Sequence, residues 1–441
     1  MIKTRTIAWV AAAAVMAACD SPLDTNPTAS IDAETALSTP RGIELGLNGA
    51  YRSLQPGNLY GVNLMVYPDM YADNLDFTGT FQTDREVAQR NINATNGAVL
   101  SMWADMYDGI NRTNNILDAI PNVGALSSSE AAQYRGEALF IRSLHYSLLA
   151  GYFGDVPIVT EPSRGVGEES LVARDPVADV YAMIIADLEE SATLLAPGHV
   201  AGRATADAAN ALLARVYLET GAYAQARDKA TLLIESGEYS LPADYATVFR
   251  TNNSSESIFE LQYSINNSNN QAFWFYTPDL GGRWGYSPTA DLYAAFEPGD
   301  ERLDVTIGID AGDRYGNKYE KIENGDDNIV VLRLAEMYLI RAEANARLNA
   351  APAVVRADIN EVRNRAGLPD LPTTVDTQQE LFDAILQERR VELAFEGLRF
   401  FDLRRLGVAT TLLQIPATHL LWPIPQAERD VNTALTQNDG Y

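Results

Sequence analysis

The sequence predicts a mostly α-helical chain folded as a single large domain, with helical hairpins, long irregular loops and a few short strands. Three observations carry that expectation. From about residue 32 onward, apolar residues recur at three- and four-residue steps. Two pairs of helical segments are separated only by Gly221-Ala222 and by Asn349-Ala350, so each pair must fold back on itself. Ser257–Tyr263 (SIFELQY) alternates like a strand.

Taken in order, residues 33–55 carry apolar side chains at Leu37, Leu45, Leu47 and Leu54, with Pro40 interrupting early. Trp103, Tyr107, Ile110, Asn114 and Leu117 share one helical face. Ser128-Ser129-Glu130 opens the next helix in capping style, and it continues through Ala138, Ile141, His145 and Leu149 to Phe153. Asp155-Val156-Pro157-Ile158-Val159 then breaks into extended chain. Helices follow at 177–195, 204–220 and 223–236. The last two alternate small residues (Ala211, Ala214, Ala226, Ala230) with large ones (Leu212, Tyr217, Tyr223), as a tetratricopeptide-like hairpin requires. A second such hairpin spans 332–366. No strict repeat runs the whole length, so the hairpins are expected to be embedded in a larger helical body. Two stretches have a different texture: Tyr71 to Phe81, opening a loop region near 71–100, and the Asn-, Gly- and aromatic-rich segment within 262–290. Long loops with little helical period are more often functional than idle.

At the other extreme of polarity, Ile7 to Ala18 is a short apolar run behind Lys3 and Arg5. It falls short of the roughly 20 residues a spanning helix needs and has the flanks of a signal-peptide core. It ends in Met16-Ala17-Ala18-Cys19, a bacterial lipoprotein cleavage pattern in which Met16 stands where Leu is usual. Residues 1–18 are therefore expected to be a leader, Cys19 the lipidated first residue, and the proline-punctuated residues 19–31 a tether to the domain at 32–441. Cys19 is the sole cysteine, so no intrachain disulfide forms and packing alone must stabilise the fold. Several acyl chains hold firmly, each buried methylene contributing about 0.8 kcal/mol.

The net charge is −26, and losing Lys3 and Arg5 with the leader takes it to −28. Such a surface repels nucleic acid and anionic headgroups. Attraction of cations is one reading of it; solvation is the simpler one. Charge balance does not identify a substrate.

Several segments together resemble the SusD/RagB family of outer-membrane nutrient-binding lipoproteins. The match starts at Cys19 with Leu23, Asp24 and Pro27. It continues through Asp73-Asn74, then Trp103, Tyr107, Ile110 and Asn114, then Arg135, Ala138, Ile141 and Arg142, then Tyr152 to Pro157. Arg333 to Glu336 with Leu339 and Ala342 to Ala344 follow, and Asn360, Arg363 and Ala366-Gly367 after them. Glu388-Arg389, Glu392-Leu393, Glu396-Gly397, Phe401 to Leu403 and Gly407 come next, with Pro423 to Pro425 and Gln437 to Tyr441 closing the chain. Each is weak alone; their order over nearly the whole chain is specific. The resemblance implies a helical domain with tetratricopeptide-like hairpins on one side and a ligand face on another. It also implies a partner, a SusC-like TonB-dependent outer-membrane barrel, to which the lipoprotein delivers an oligomeric nutrient. That nutrient is often a glycan (an oligosaccharide) and in some relatives a peptide. Neither catalysis nor a cofactor is implied. Asp20 after the lipidated residue matches one rule for inner-membrane retention, whereas the resemblance points to the outer membrane, facing the cell exterior.

Candidate ligand-binding residues fall in the two loops. Asn269, Trp274, Tyr276, Arg283, Trp284 and Tyr286 combine aromatic planes, on which the CH faces of sugars stack, with amide and guanidinium groups that bond hydroxyls. Asp73, Asn74, Phe77 and Phe81 lie where the family has its other ligand-facing loop. Either set also has a structural reading, the rings packing the loop and the Asp-Asn pair capping backbone.

Signals for other chemistry are thin. Glu388, Glu392 and Glu396, at four-residue steps, offer the carboxylates of a glycosidase, the main alternative function. They alternate with Arg389, Arg390, Arg399, Arg404 and Arg405, and carboxylates held against guanidinium make poor general acids. Similar pairing is expected for Glu336, Arg341 and Glu343. His145, His199 and His419 lack ligand spacing, and His145 falls in an apolar helix. Asp300, Asp304, Asp310, Asp313, Asp326 and Asp327 lack calcium-loop spacing, so no metal site is expected. A third reading is an adaptor of the same fold that binds only protein.

Overall fold

The structure, a computed structural model, describes residues 32–164 and 171–441. The leader, Cys19 and residues 19–31 of the tether lie outside the described residues.

The longer helices are α1 (Pro40–Arg52), α2 (Gly97–Ala119), α3 (Ser128–Phe153), α4 (Val177–Leu194), α5 (Ala206–Glu219), α6 (Tyr223–Glu235), α7 (Leu334–Arg347), α8 (Pro352–Arg365) and α9 (Gln378–Glu392). Each packs against the next in sequence. Their starts follow from capping chemistry. Pro40 occupies the first turn of α1, where a missing N–H costs nothing, behind the Thr39 cap. Ser127 and Glu130 form a reciprocal capping box at α3, one residue ahead of the predicted position. Thr377 and Glu380 do the same at α9.

Both predicted hairpins are present, as α5–α6 and α7–α8. They stack on one another, α6 against α7, although residues 236–333 separate them in the chain. That segment leaves the helical stack and returns to it. Its ends are drawn together by β2 (Ser257–Leu261) and β6 (Ile329–Arg333), an irregular antiparallel pair buried along its whole length. Interhelical space is narrow where Ala208, Ala209, Ala211, Ala214, Ala226 and Ala230 are buried, which is why small residues alternate with large ones there.

Some expectations need correction. Leu45 is 52% exposed; the buried face of α1 is Ile43, Leu47, Ala50 and Tyr51. The segment 264–288 is less irregular than its composition suggests, holding a helical turn at Gln271–Phe275 and a 3-10 turn at Pro278–Leu280. His145 is a core residue as expected. Its Nε2 lies 3.1 Å from Ser53 Oγ, and burial pushes its pKa down to about 3. Among the described residues no helix is long and apolar enough to cross a membrane.

Candidate ligand-binding face

Strand β1 (Leu75–Phe77) pairs antiparallel with β3 (Tyr286–Pro288), in the register Leu75 to Pro288, Asp76 to Ser287 and Phe77 to Tyr286. This pairing joins the two loops picked out from the sequence, which lie some two hundred residues apart. The Thr78 N–H adds a bond to the Gly285 carbonyl at 3.0 Å, and the Thr78 hydroxyl donates to the Trp284 carbonyl.

Around this pair the aromatic side chains gather. Phe81 meets Trp274 edge-on with ring centroids 6.0 Å apart, and Phe273 meets Trp274 at 5.6 Å. Trp274 also lies 6.0 Å from Tyr286, which is 6.1 Å from Phe77. The Arg283 guanidinium sits 5.4 Å from the Phe81 centroid and 5.5 Å from that of Trp274. Phe81 is 46% and Phe273 38% exposed, Trp274, Trp284, Tyr276 and Phe77 are half-buried, and Arg283 is exposed. Together they form an open platform of ring faces and edges with a cation on it.

The loop that carries the platform is held by its backbone. Arg283 N–H donates to the Phe273 carbonyl at 2.7 Å, and Trp284 N–H to that of Tyr276 at 2.8 Å. Gly282 must be glycine for this approach, since a Cβ there would meet the Tyr276 carbonyl oxygen at 2.1 Å. Trp284 adopts φ 48°, an unusual conformation for a bulky residue, and its indole N–H donates to the Arg314 carbonyl at 3.0 Å. The hairpin of β4 (Ile307–Asp310) and β5 (Asp313–Gly316) supports the loop from behind, Tyr315 lying 4.8 Å from Tyr276.

Several predicted site residues are framework instead. Asn74 is fully buried, donating to Asp69 at 2.7 Å and accepting from Arg390 at 3.0 Å. Asp73 accepts two bonds from Arg399, at 2.7 and 2.9 Å, and pairs with Arg390. Burial works to raise its pKa, but the bonds and charge of Arg399 and the charge of Arg390 outweigh that and leave it low. Asn269 is buried; its Oδ1 accepts from the Gln271 N–H at 2.9 Å, starting the helical turn under the platform. Tyr286 is buried and donates to Asp84 at 2.6 Å. Burial, with Tyr67 and Asp84 beside it, pushes the Tyr286 hydroxyl well up, so it remains a neutral donor. Asp73, Asn74 and Asn269 face the body because short polar side chains in a turn satisfy buried backbone and charge before they meet solvent, and Tyr286 does so from strand β3 through its bond to Asp84. Phe273 was missed. The signal was Phe273-Trp274-Phe275, three consecutive aromatics in a single helical turn, which cannot all point inward.

The three carboxylates on and just beyond α9 are all ion-paired. Glu388 accepts from Arg302 at 2.5 Å, and Glu392 from Arg302 at 2.9 Å, with Arg333 and Arg365 also on Glu392. Glu396 is held by Lys318 at 2.6 Å and Arg333 at 2.7 Å. Pairing was expected; these partners were not. The neighbouring arginines reach elsewhere: Arg389 to Asp402, Arg399 to Asp73, Arg404 to Glu219, and Arg405 to Glu343. Likewise Glu336 pairs with Arg215 and Arg341 with Asp358. Of the acidic loop residues, Asp300 is taken by Arg302, and Asp327 accepts the Glu320 and Lys321 N–H groups.

The structure is thus a stack of helical hairpins that sends out one long excursion, with an exposed aromatic platform on it as the candidate binding face. Comparison with known proteins agrees. Residues 309–420 match the model of the SusD family, and residues 23–218 match a model described as starch-binding, associating with the outer membrane. The chain is 26% identical to SusD-like protein P2 of Formosa agariphila, over 88% of this chain and 87% of that one. It is 25% identical to the starch-binding protein SusD of Bacteroides thetaiotaomicron, over 76% and 77%. A laminarin-binding SusD-like protein superposes with a TM-score of 0.80 at 26% identity, covering 92% of this chain and 100% of its own. The chain belongs to the SusD/RagB family.

Proposed function

We propose that this protein captures an oligomeric nutrient, a glycan, at the cell surface and delivers it to a SusC-like TonB-dependent barrel, without catalysis. The observation that carries the reading is the exposed platform of Phe81, Phe273, Trp274 and Arg283 beside the β1–β3 pair. Flat apolar rings beside a multidentate donor suit sugar rings, which present CH faces and hydroxyl edges. The starch- and laminarin-binding relatives support it. An outer-membrane position, with an acylated Cys19 as anchor and the platform facing outward, is supported by the family model's description and by the sequence around Cys19. A glycosidase using Glu388 and Glu392 is disfavoured, since both carboxylates are buried and ion-paired.

Calorimetric titration of the full-length protein in detergent against oligosaccharides and peptides is expected to find a bound glycan. Trp274→Ala should weaken that binding by about tenfold or more, equal to about 1.4 kcal/mol. Normal glycan uptake in cells lacking the protein would sink the delivery role. Protease treatment of intact cells tests the outward orientation, and Cys19→Ser the anchor.

A further inference from the structure

We infer that the platform is built for an anionic saccharide, one carrying carboxylate or sulfate groups, with Arg283 and Arg85 as the groups that meet the anion. The inference rests on the glycan-binding reading and narrows its ligand class.

The chain has fifty-nine acidic residues and thirty-three Lys and Arg, so carboxylate partners for arginine are abundant. Within the body they are used: Arg302, Arg333 and Arg365 each hold two or three carboxylates. Arg283 is different. Among the described residues its guanidinium has no ion pair and no hydrogen bond, although it is exposed and fixed in place by the Phe81 and Trp274 rings. A guanidinium braced by aromatic rings keeps its N–H fork free, the geometry that bonds an oxyanion through two parallel bonds.

Arg85 stands one turn along the Gln82–Ala88 helix from Phe81, exposed and likewise unpaired among the described residues. Nearby carboxylates are engaged elsewhere. Asp84 accepts the Tyr286 hydroxyl, and Glu86 accepts from Asn96 and Gln82. Asp310 accepts the Thr277 hydroxyl. Exposed Asp76 and Asp279 make no pair with either arginine. Bonds from neutral donors do not cancel the carboxylates' charge, so the two guanidinium groups act on a docked anion through directed, short-range N–H bonds and not through a net positive field. A neutral glucan would stack on the same rings and leave both forks unused.

The test titrates the full-length protein in detergent with oligomers of matched length: galacturonate for carboxylate, sulfated galactan for sulfate, and a neutral glucan. At least one anionic set is expected to bind about tenfold more tightly than the glucan. The gap should narrow as salt is added, and Arg283→Gln should remove most of it. Arg283→Lys should retain part, a point charge without the fork. Comparing the two anionic sets tells carboxylate from sulfate. Glucan bound as well as both anionic sets, with no response to Arg283→Gln, overturns the inference and leaves glycan binding standing. Binding of none of the three saccharide sets overturns both.

Discussion

Glu392 shows how far the buried charge depends on being complete. Three guanidinium groups converge on it, and all four side chains are shut off from water. Removing one partner of such a cluster leaves uncompensated charge in a poor solvent. Glu392→Gln is therefore expected to cost about 3 to 5 kcal/mol, read as a lowered urea midpoint. The same cluster sets the acid limit. Burial works to raise Glu392, yet Arg365, Arg333 and Arg302 outweigh it and hold the carboxyl well below its usual range. Glu396 and Asp402 are also low, burial again being outweighed, by Arg333 and Lys318 in one case and Arg389 and Arg405 in the other. A carboxylate lowered in the fold contributes stability above its unfolded pKa of about 4, and that contribution is lost as pH falls toward the folded value. Asp69 has the opposite sign. Burial pushes it up to about 7, so its contribution is present below its unfolded value and lost as pH rises through the folded one. Calorimetry across pH should show a falling thermal midpoint on the acid side. Asp69→Asn should gain on the parent as pH rises toward neutrality.

Elements are positioned by short-range chemistry, and their substitutions should act locally. The capping box of α3 rests on Ser127, whose hydroxyl accepts from the Glu130 N–H at 3.2 Å while Glu130 accepts from the Ser127 N–H at 2.9 Å. Ser127→Ala should cost about 1 kcal/mol in chemical denaturation, with no change in ligand binding. Gly282→Ala should reach the binding face as well. Its Cβ would collide with a backbone oxygen of the platform loop, forcing a shift that costs about 1 to 3 kcal/mol. The expected readout is glycan affinity reduced about tenfold while the helical circular dichroism signal is kept.

At the scale of the molecule, the stack is continuous although the chain is not. Arg215 on α5 reaches Glu336 on α7 through two bonds, at 2.8 and 2.6 Å, and donates to the Val331 carbonyl at 2.8 Å. It clamps the first hairpin to the start of the second across the excursion. Arg215→Met strands a buried carboxylate at that junction and should cost about 3 kcal/mol by calorimetry. The helices, both hairpins and the two loop regions were legible in the sequence because helical period, capping pairs and turn residues are local signals. So was the pairing of the acidic helix, since so many alternating charges must neutralise one another. What the sequence by itself determined is therefore the list of larger parts: the long helical segments, their turns, and two stretches of different texture, whose short helices Gln82–Ala88 and Gln271–Phe275 carry too few turns to show a period. Only the tertiary structure decided that β1 meets β3, that Glu392 is met by Arg302, Arg333 and Arg365 instead of its neighbours, and that Phe273 faces solvent while Asn74 and Tyr286 do not. Those outcomes depend on contacts between residues tens to hundreds of positions apart, for which a single sequence carries no periodic signature.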